Sequence, residues 1–144
     1  MAILTTNWIF WALWSAVFAA LTAIFAKVGV TGVNTNLATL IRTVVVVLAL
    51  VPLVWATGEA KEFASISGKT GAFLVLSGLA TGASWLCYFT ALKLGQASQV
   101  APVDKLSVVL VAIFAALFLG ESLSATGWSG IALITAGVVL VAVS

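Results

Sequence analysis

APVDKLSVVLVAIFAALFLGE, residues 101–121, is a nearly unbroken apolar run that carries an aspartate and a lysine side by side just inside its start. The reading of that run depends on its solvent. Of the 144 residues, 63% are hydrophobic, six are Lys or Arg, four are Asp or Glu, and none is His. Ordinary soluble domains are about 25% charged. A water-soluble chain of this size cannot hide so much apolar surface, so lipid is the expected solvent.

Working outward from residues 101–121, five segments are long and apolar enough to cross about 30 Å of hydrocarbon as helices of about 20 residues. They cover roughly 7–26, 36–57, 70–91, 100–119 and 126–143 of a single domain spanning 1–144. The breaks KVGVTGVNT, GEAKEFASISGK, LKLGQASQ and GESLSA are short, which makes consecutive helices antiparallel neighbours. The runs show no alternating polarity, so helices are expected rather than barrel strands. The fold class is therefore all-α, a polytopic integral membrane protein. MAILTTN contains no Lys or Arg, and no cleavable signal peptide is expected. Pro52 is expected to kink the second helix, and Pro102 to occupy a first-turn position.

Several kinds of chemistry are disfavoured. Without His, and with the single Cys87, neither a zinc cluster nor a Ser-His-Asp-type triad can be assembled. A phosphate-cradling loop and a basic run are missing too, which argues against ATP hydrolysis and nucleic-acid binding. Neither an enzyme nor a cofactor or metal site is expected.

The polar groups within the spans each admit two readings. Arg42 lies about 9 Å along the second helix, at 1.5 Å per residue. It either snorkels to the headgroups or lines a cavity, where it meets an anion or Asp104. Adjacent helical residues point about 100° apart, so Asp104 and Lys105 are not expected to form a self-contained pair. In a first turn Asp104 would be held by the helix dipole, whereas Lys105 would oppose it. Lys105 either snorkels or attracts a substrate carboxylate or phosphate, and Asp104 binds an amine, a proton or Arg42. Ser77, Thr81, Ser84 and Tyr88 form one stripe of the third helix, flanked by Trp85 and by Gly78 and Gly82. Helix packing with back-bonded hydroxyls is one reading of it, and a cavity lining is the other. Trp8 and Trp11 fit interfacial anchors, and the deeper Trp14 is a candidate substrate wall. Gly127, Gly130 and Gly137 mark the fifth helix as scaffold or dimer surface.

The stretch YFTALKLGQASQVAPVDKLSVVLVAIFAALFLGESLSATGWSGIALITAGVVLVA resembles the second part of an EamA domain of the drug/metabolite transporter superfamily. ALKLGQASQVAP, the apolar helix ending in LFLGESLS and the Gly-rich last helix carry the likeness. NWIFWALWSAVFAALTAIFAKVGV resembles the family's opening helix more loosely. Typical members have ten helices in two inverted units, and this sequence resembles the five-helix proteins with one such half-transporter unit. The resemblance implies transport of a small metabolite by alternating access, with a site between two halves, in the cell's inner membrane. Related four-helix exporters use a Glu in their first helix, which this sequence lacks. Any proton coupling is therefore expected at Asp104.

Trp14, Arg42, Ser84, Trp85, Tyr88 and Lys105 are the expected substrate-binding residues, with Asp104 for charge balance or proton coupling and Gly127, Gly130 and Gly137 at a dimer interface. Arg42 and Lys105 favour an anionic or zwitterionic substrate. The alternative is an accessory subunit of a hetero-oligomeric transporter or lipid-linked sugar flippase.

Orientation is balanced. One insertion places Lys27, Arg42, Lys93 and Lys105 on the cytoplasmic side, and the other places Lys61 and Lys69 there. Counting Arg42 and Lys105 as lying within spans leaves two against two. Insertion both ways round, and an antiparallel homodimer, are thus expected. Cytoplasm-active and periplasm-active reporters, fused separately after Ser144, should then both be active. Activity from one alone would mean a fixed orientation and would favour the accessory-subunit reading.

Overall fold

The fold is seen in a computed structural model that describes residues 7–144. The elements are α1 (Trp8–Gly29), α2 (Thr35–Ala56), a 3-10 helix (Glu59–Ser65), α3 (Gly68–Leu94), α4 (Ala97–Asp104), α5 (Leu106–Phe114), a π turn (Ala115–Leu119) and α6 (Ala125–Ala142). No strand occurs among the described residues. The five stretches long and apolar enough to cross a membrane are α1, α2, α3, the composite Ala97–Leu119 and α6.

Local chemistry sets the ends of these helices. Asn34 caps α2, its side-chain oxygen accepting from the Asn36 N–H at 2.9 Å. Ser124 caps α6 in the same way, accepting from the Gly127 N–H at 3.1 Å. Such caps satisfy amide donors that a helix start leaves unpaired. The fourth span stops at Gly120, whose φ of +68° belongs to the left-handed region where a Cβ is penalised. There the Gly120 and Glu121 N–H groups both donate to the Ala115 carbonyl. Pro52 lies inside α2, which runs on to Ala56.

The start of the fourth span differs from the sequence reading. Its helix begins at Ala97, where the Gln99 and Val100 N–H groups both donate to the Gln96 carbonyl. Ser98 and Gln99 are helical although polar, so hydropathy placed the start too late. Pro102 is consequently the sixth residue of α4 and Asp104 its last, and neither lies in a first turn. The ladder is interrupted at Lys105, whose N–H donates to the Pro102 carbonyl and whose own carbonyl accepts from Val108. These i to i−3 bonds tighten the chain for one turn between α4 and α5.

The chain forms two compact units. In the unit made of residues 7–25 and Leu94–Ser144, α6 packs on α4 and α5. Its buried apolar side chains are Ala23, Ala112 and Val138, small or branched residues that permit close helix packing. In the Ala26–Lys93 unit the 3-10 helix packs on α2, and Ala26, Val30, Thr39, Phe89 and Leu92 are buried. Elsewhere the apolar surface faces outward: Trp8, Phe118 and Leu94 are 75%, 78% and 84% exposed. Water does not tolerate contiguous apolar patches on this scale, whereas lipid solvates them.

Hydroxyl groups in the spans fold back on their own helices. Thr39 donates to the Thr35 carbonyl, Thr81 to Ser77, Thr90 to Leu86 and Thr135 to Ile131, at 2.8–2.9 Å. This back-bonding supplies the acceptor that hydrocarbon cannot.

Leu92 and Val30 are the largest fully buried side chains of the Ala26–Lys93 unit. Leu92→Ala is expected to cost about 2–5 kcal/mol, the range for a large-to-small change in a packed site. Leu94→Ala, two residues on and outward-facing, should leave the thermal unfolding midpoint in detergent nearly unmoved.

Candidate functional site

Arg42 lies seven residues past the first residue of α2, about 10 Å along the axis. Its guanidinium carbon is 4.0 Å from the centroid of the Trp85 ring and 5.5 Å from that of Phe89. Trp85 and Phe89 are four residues apart on α3 and share a face, so one helix presents two rings to one cation. Tyr88, three residues after Trp85, is within electrostatic reach of the same group. Arg42, Trp85 and Tyr88 are half-buried and Phe89 is buried. A guanidinium lying over indole is attracted by the ring quadrupole and is only weakly hydrated. Its planar edge still carries N–H donors in the fork geometry that suits carboxylate and phosphate.

Of the expected substrate-binding residues, the Ala26–Lys93 unit therefore brings together Arg42, Trp85 and Tyr88. Ser84 adjoins them on α3, at an exposed position one residue before Trp85. Phe89 was not singled out from the sequence, although its spacing of four from Trp85 was the available signal. In the stripe containing these residues, the Thr81 hydroxyl bonds back to the Ser77 main-chain carbonyl, as the packing reading has it for that hydroxyl.

Trp14, Asp104 and Lys105 belong to the other unit. Trp14 lies between aromatic neighbours one helical turn away on either side, Phe10 with centroids 6.5 Å apart and Phe18 with centroids 6.0 Å apart. Phe10, Leu13, Trp14 and Val17 line an apolar hollow of about 160 Å³.

Asp104 and Lys105 do meet, contrary to the expectation from helical geometry. The Lys105 Nζ is 3.8 Å from Asp104 Oδ2, and both residues are exposed. The 100° rule assumes a continuous helix, and the ladder breaks between these two residues. Asp104 ends α4 and Lys105 precedes α5, so each opposes the dipole of the half-helix it adjoins. Their mutual attraction leaves the break with no net charge.

On α6, the space beside Gly127 is filled by the chain's own Leu123, whose Cδ2 is 3.0 Å from where a Cβ would stand. Gly130 and Gly137 have nothing within 4 Å of that position. Among the described residues no three His, Cys, Asp or Glu side chains come together as a metal site.

These features define a polytopic helical membrane protein with a cation–aromatic cluster inside one unit. Residues 6–143 match the EamA-like transporter family, and the chain belongs to that family. It is 59% identical, over 97% of its own length and 99% of the relative's, to a Sinorhizobium sp protein called "Uncharacterized transporter in cobO 3'region". No solved structure matches it.

If the ring faces hold Arg42, the two sites should be energetically coupled. A double-mutant cycle with Arg42→Gln and Trp85→Leu is expected to give a coupling of about 0.5–2 kcal/mol in thermal unfolding. Additive effects would mean that the stack contributes nothing.

Proposed function

We propose that this membrane transporter carries a small anionic or zwitterionic metabolite across the cell's inner membrane, by alternating access, as an antiparallel homodimer. Family membership supports transport, and the even Lys/Arg balance supports paired inverted copies. The substrate class rests on one observation, the Arg42 guanidinium held against Trp85 within a membrane span. An ionised residue in a span is costly and marks a substrate pathway by default. Here the rings take the face of the cation and leave its edge for an oxyanion. Trp85, Tyr88 and Ser84 form the wall beside it. Lys105 attracts acidic groups to the interruption in the fourth span, and Asp104 serves for charge balance or takes a proton. Trp14 lines an apolar part of the path, and Gly130 and Gly137 offer bare backbone to a second copy.

Arg42→Gln is expected to reduce uptake of carboxylates into proteoliposomes by about ten-fold or more, the loss of a charge-assisted bond. Lys105→Ala should abolish transport while assembly persists. A panel of acidic, zwitterionic and cationic metabolites supplies the readout. Unchanged acid transport by both variants would sink the site, and transport restricted to organic cations would sink the substrate class.

A further inference from the structure

Residues 57–67 join α2 to α3, and hydrogen bonds order the chain through this connection. α2 has 22 residues, about 33 Å at 1.5 Å per residue, so a span covering about 30 Å of hydrocarbon ends at Ala56 close to the headgroups. Gly58, with a φ of +78°, turns the chain there, and its N–H donates to the Trp55 carbonyl at 3.1 Å. The 3-10 helix Glu59–Ser65 follows and packs on α2. The Ser67 hydroxyl oxygen then accepts from the Thr70 N–H at 3.1 Å, at the start of α3.

A 3-10 helix has three residues per turn, so its side chains stack in three rows. Glu59, Glu62 and Ser65 form one row, Ala60 and Phe63 the second, Lys61 and Ala64 the third. The second row is apolar. Ala60 is half-buried, whereas Phe63, one turn on, is 68% exposed. The Ile66 N–H donates to the Phe63 carbonyl at 3.4 Å, which carries the three-residue register on to Ile66, also exposed. Trp55, in the last turn of α2, adds another exposed ring. The charges complete the pattern. Glu59, Lys61, Glu62 and Lys69 bring two of each sign. Anionic membrane surfaces are recognised by clusters of Lys and Arg, and this segment has no net charge. A zwitterionic headgroup matches it, with carboxylates for the ammonium and lysines for the phosphate.

We infer that the Glu59–Ser65 helix is a membrane-surface anchor, lying in the headgroup plane of a zwitterionic phospholipid bilayer with Phe63 and Ile66 at the acyl boundary. An amphipathic interfacial helix buries its apolar face about 5–10 Å into that boundary. Trp55 stands at the same level, where aromatic rings collect. The segment joins the helices that carry Arg42 and Trp85, so anchoring it fixes the depth of both in the bilayer. The anchor depends on no transport substrate.

The test is a depth measurement on the full chain in phosphatidylcholine vesicles. In a Cys87→Ser background, Lys61→Cys, Glu62→Cys, Phe63→Cys and Ile66→Cys are each spin-labelled. Collisions with oxygen, which concentrates in lipid, are compared with collisions with a water-soluble nickel chelate present on both sides of the bilayer. Labels at positions 63 and 66 should lie about 5–10 Å below the phosphates, and the label at 62 should lie in water. The same pattern is expected when half of the lipid is phosphatidylglycerol. Nickel access at 63 and 66 equal to that at 62 overturns the anchor. A lipid-facing pattern that appears only with phosphatidylglycerol overturns the zwitterionic partner. Protection of 63 from both reagents, with dipolar broadening between labels, would identify a second copy of the chain as the occupant and overturn the lipid assignment. Should Phe63→Cys fail to insert, Ile66→Cys, which keeps Phe63 in place, reads the same face and decides the question.

Discussion

Hydrocarbon offers no hydrogen-bond partner, so every polar group carried into it must be satisfied by the chain itself. Helices do this for the backbone, and the rest of the structure deals with what helices leave over. Thr39, Thr43, Thr81, Thr90 and Thr135 each donate to a carbonyl one turn back on their own helix. The Leu92 carbonyl, left over at the end of α3, receives the Lys27 ammonium. Arg42 rests against Trp85 and Phe89, which offer it a negative quadrupole in place of water.

These solutions differ in what they leave available. A back-bonded threonine has spent its proton and serves packing. A guanidinium on a ring has spent its face but not its edge, which makes Arg42 suited to meeting a carboxylate. At the ends of α1 and α3, Lys27 and Lys93 donate to the Leu92 and Val33 carbonyls and line one hollow. The interruption at Lys105 is a further kind of solution. A break in a membrane helix frees backbone groups and gives two charged side chains freedom that a regular helix denies them. The Asp104–Lys105 pair, exposed and 3.8 Å apart, is weak in water and more significant where water is scarce. A discontinuous span is also where transporters place substrate and ion sites.

Much of this was legible in the residues. Five apolar runs, a charged fraction far below the soluble norm and short polar breaks lead to five membrane helices, because span length and hydropathy are local properties of the chain. The motifs ALKLGQASQVAP and LFLGESLS carried the family. Arg42, Trp85 and Tyr88 were each identifiable as exceptional, a charge and two amphipathic rings at membrane depth.

What sequence patterning did not provide was the partner of each group. Periodicity shows that Trp85 and Phe89 share a face of α3, but not that Arg42 of α2 lies over them, since that depends on how two helices pack. Likewise the sequence placed Lys27 and Lys93 in the polar breaks after residues 26 and 91, and only tertiary packing sets them against the Leu92 and Val33 carbonyls. Asp104 and Lys105 were misread for a related reason: a 100° rotation per residue holds within a helix, and whether the helix continues past Pro102 is settled by hydrogen bonds that hydropathy does not see. The sequence by itself determined the solvent, the spans and the family, which follow from local composition. The tertiary structure decided which charges meet which rings and carbonyls, because those pairings join residues 43 to 65 positions apart in the chain.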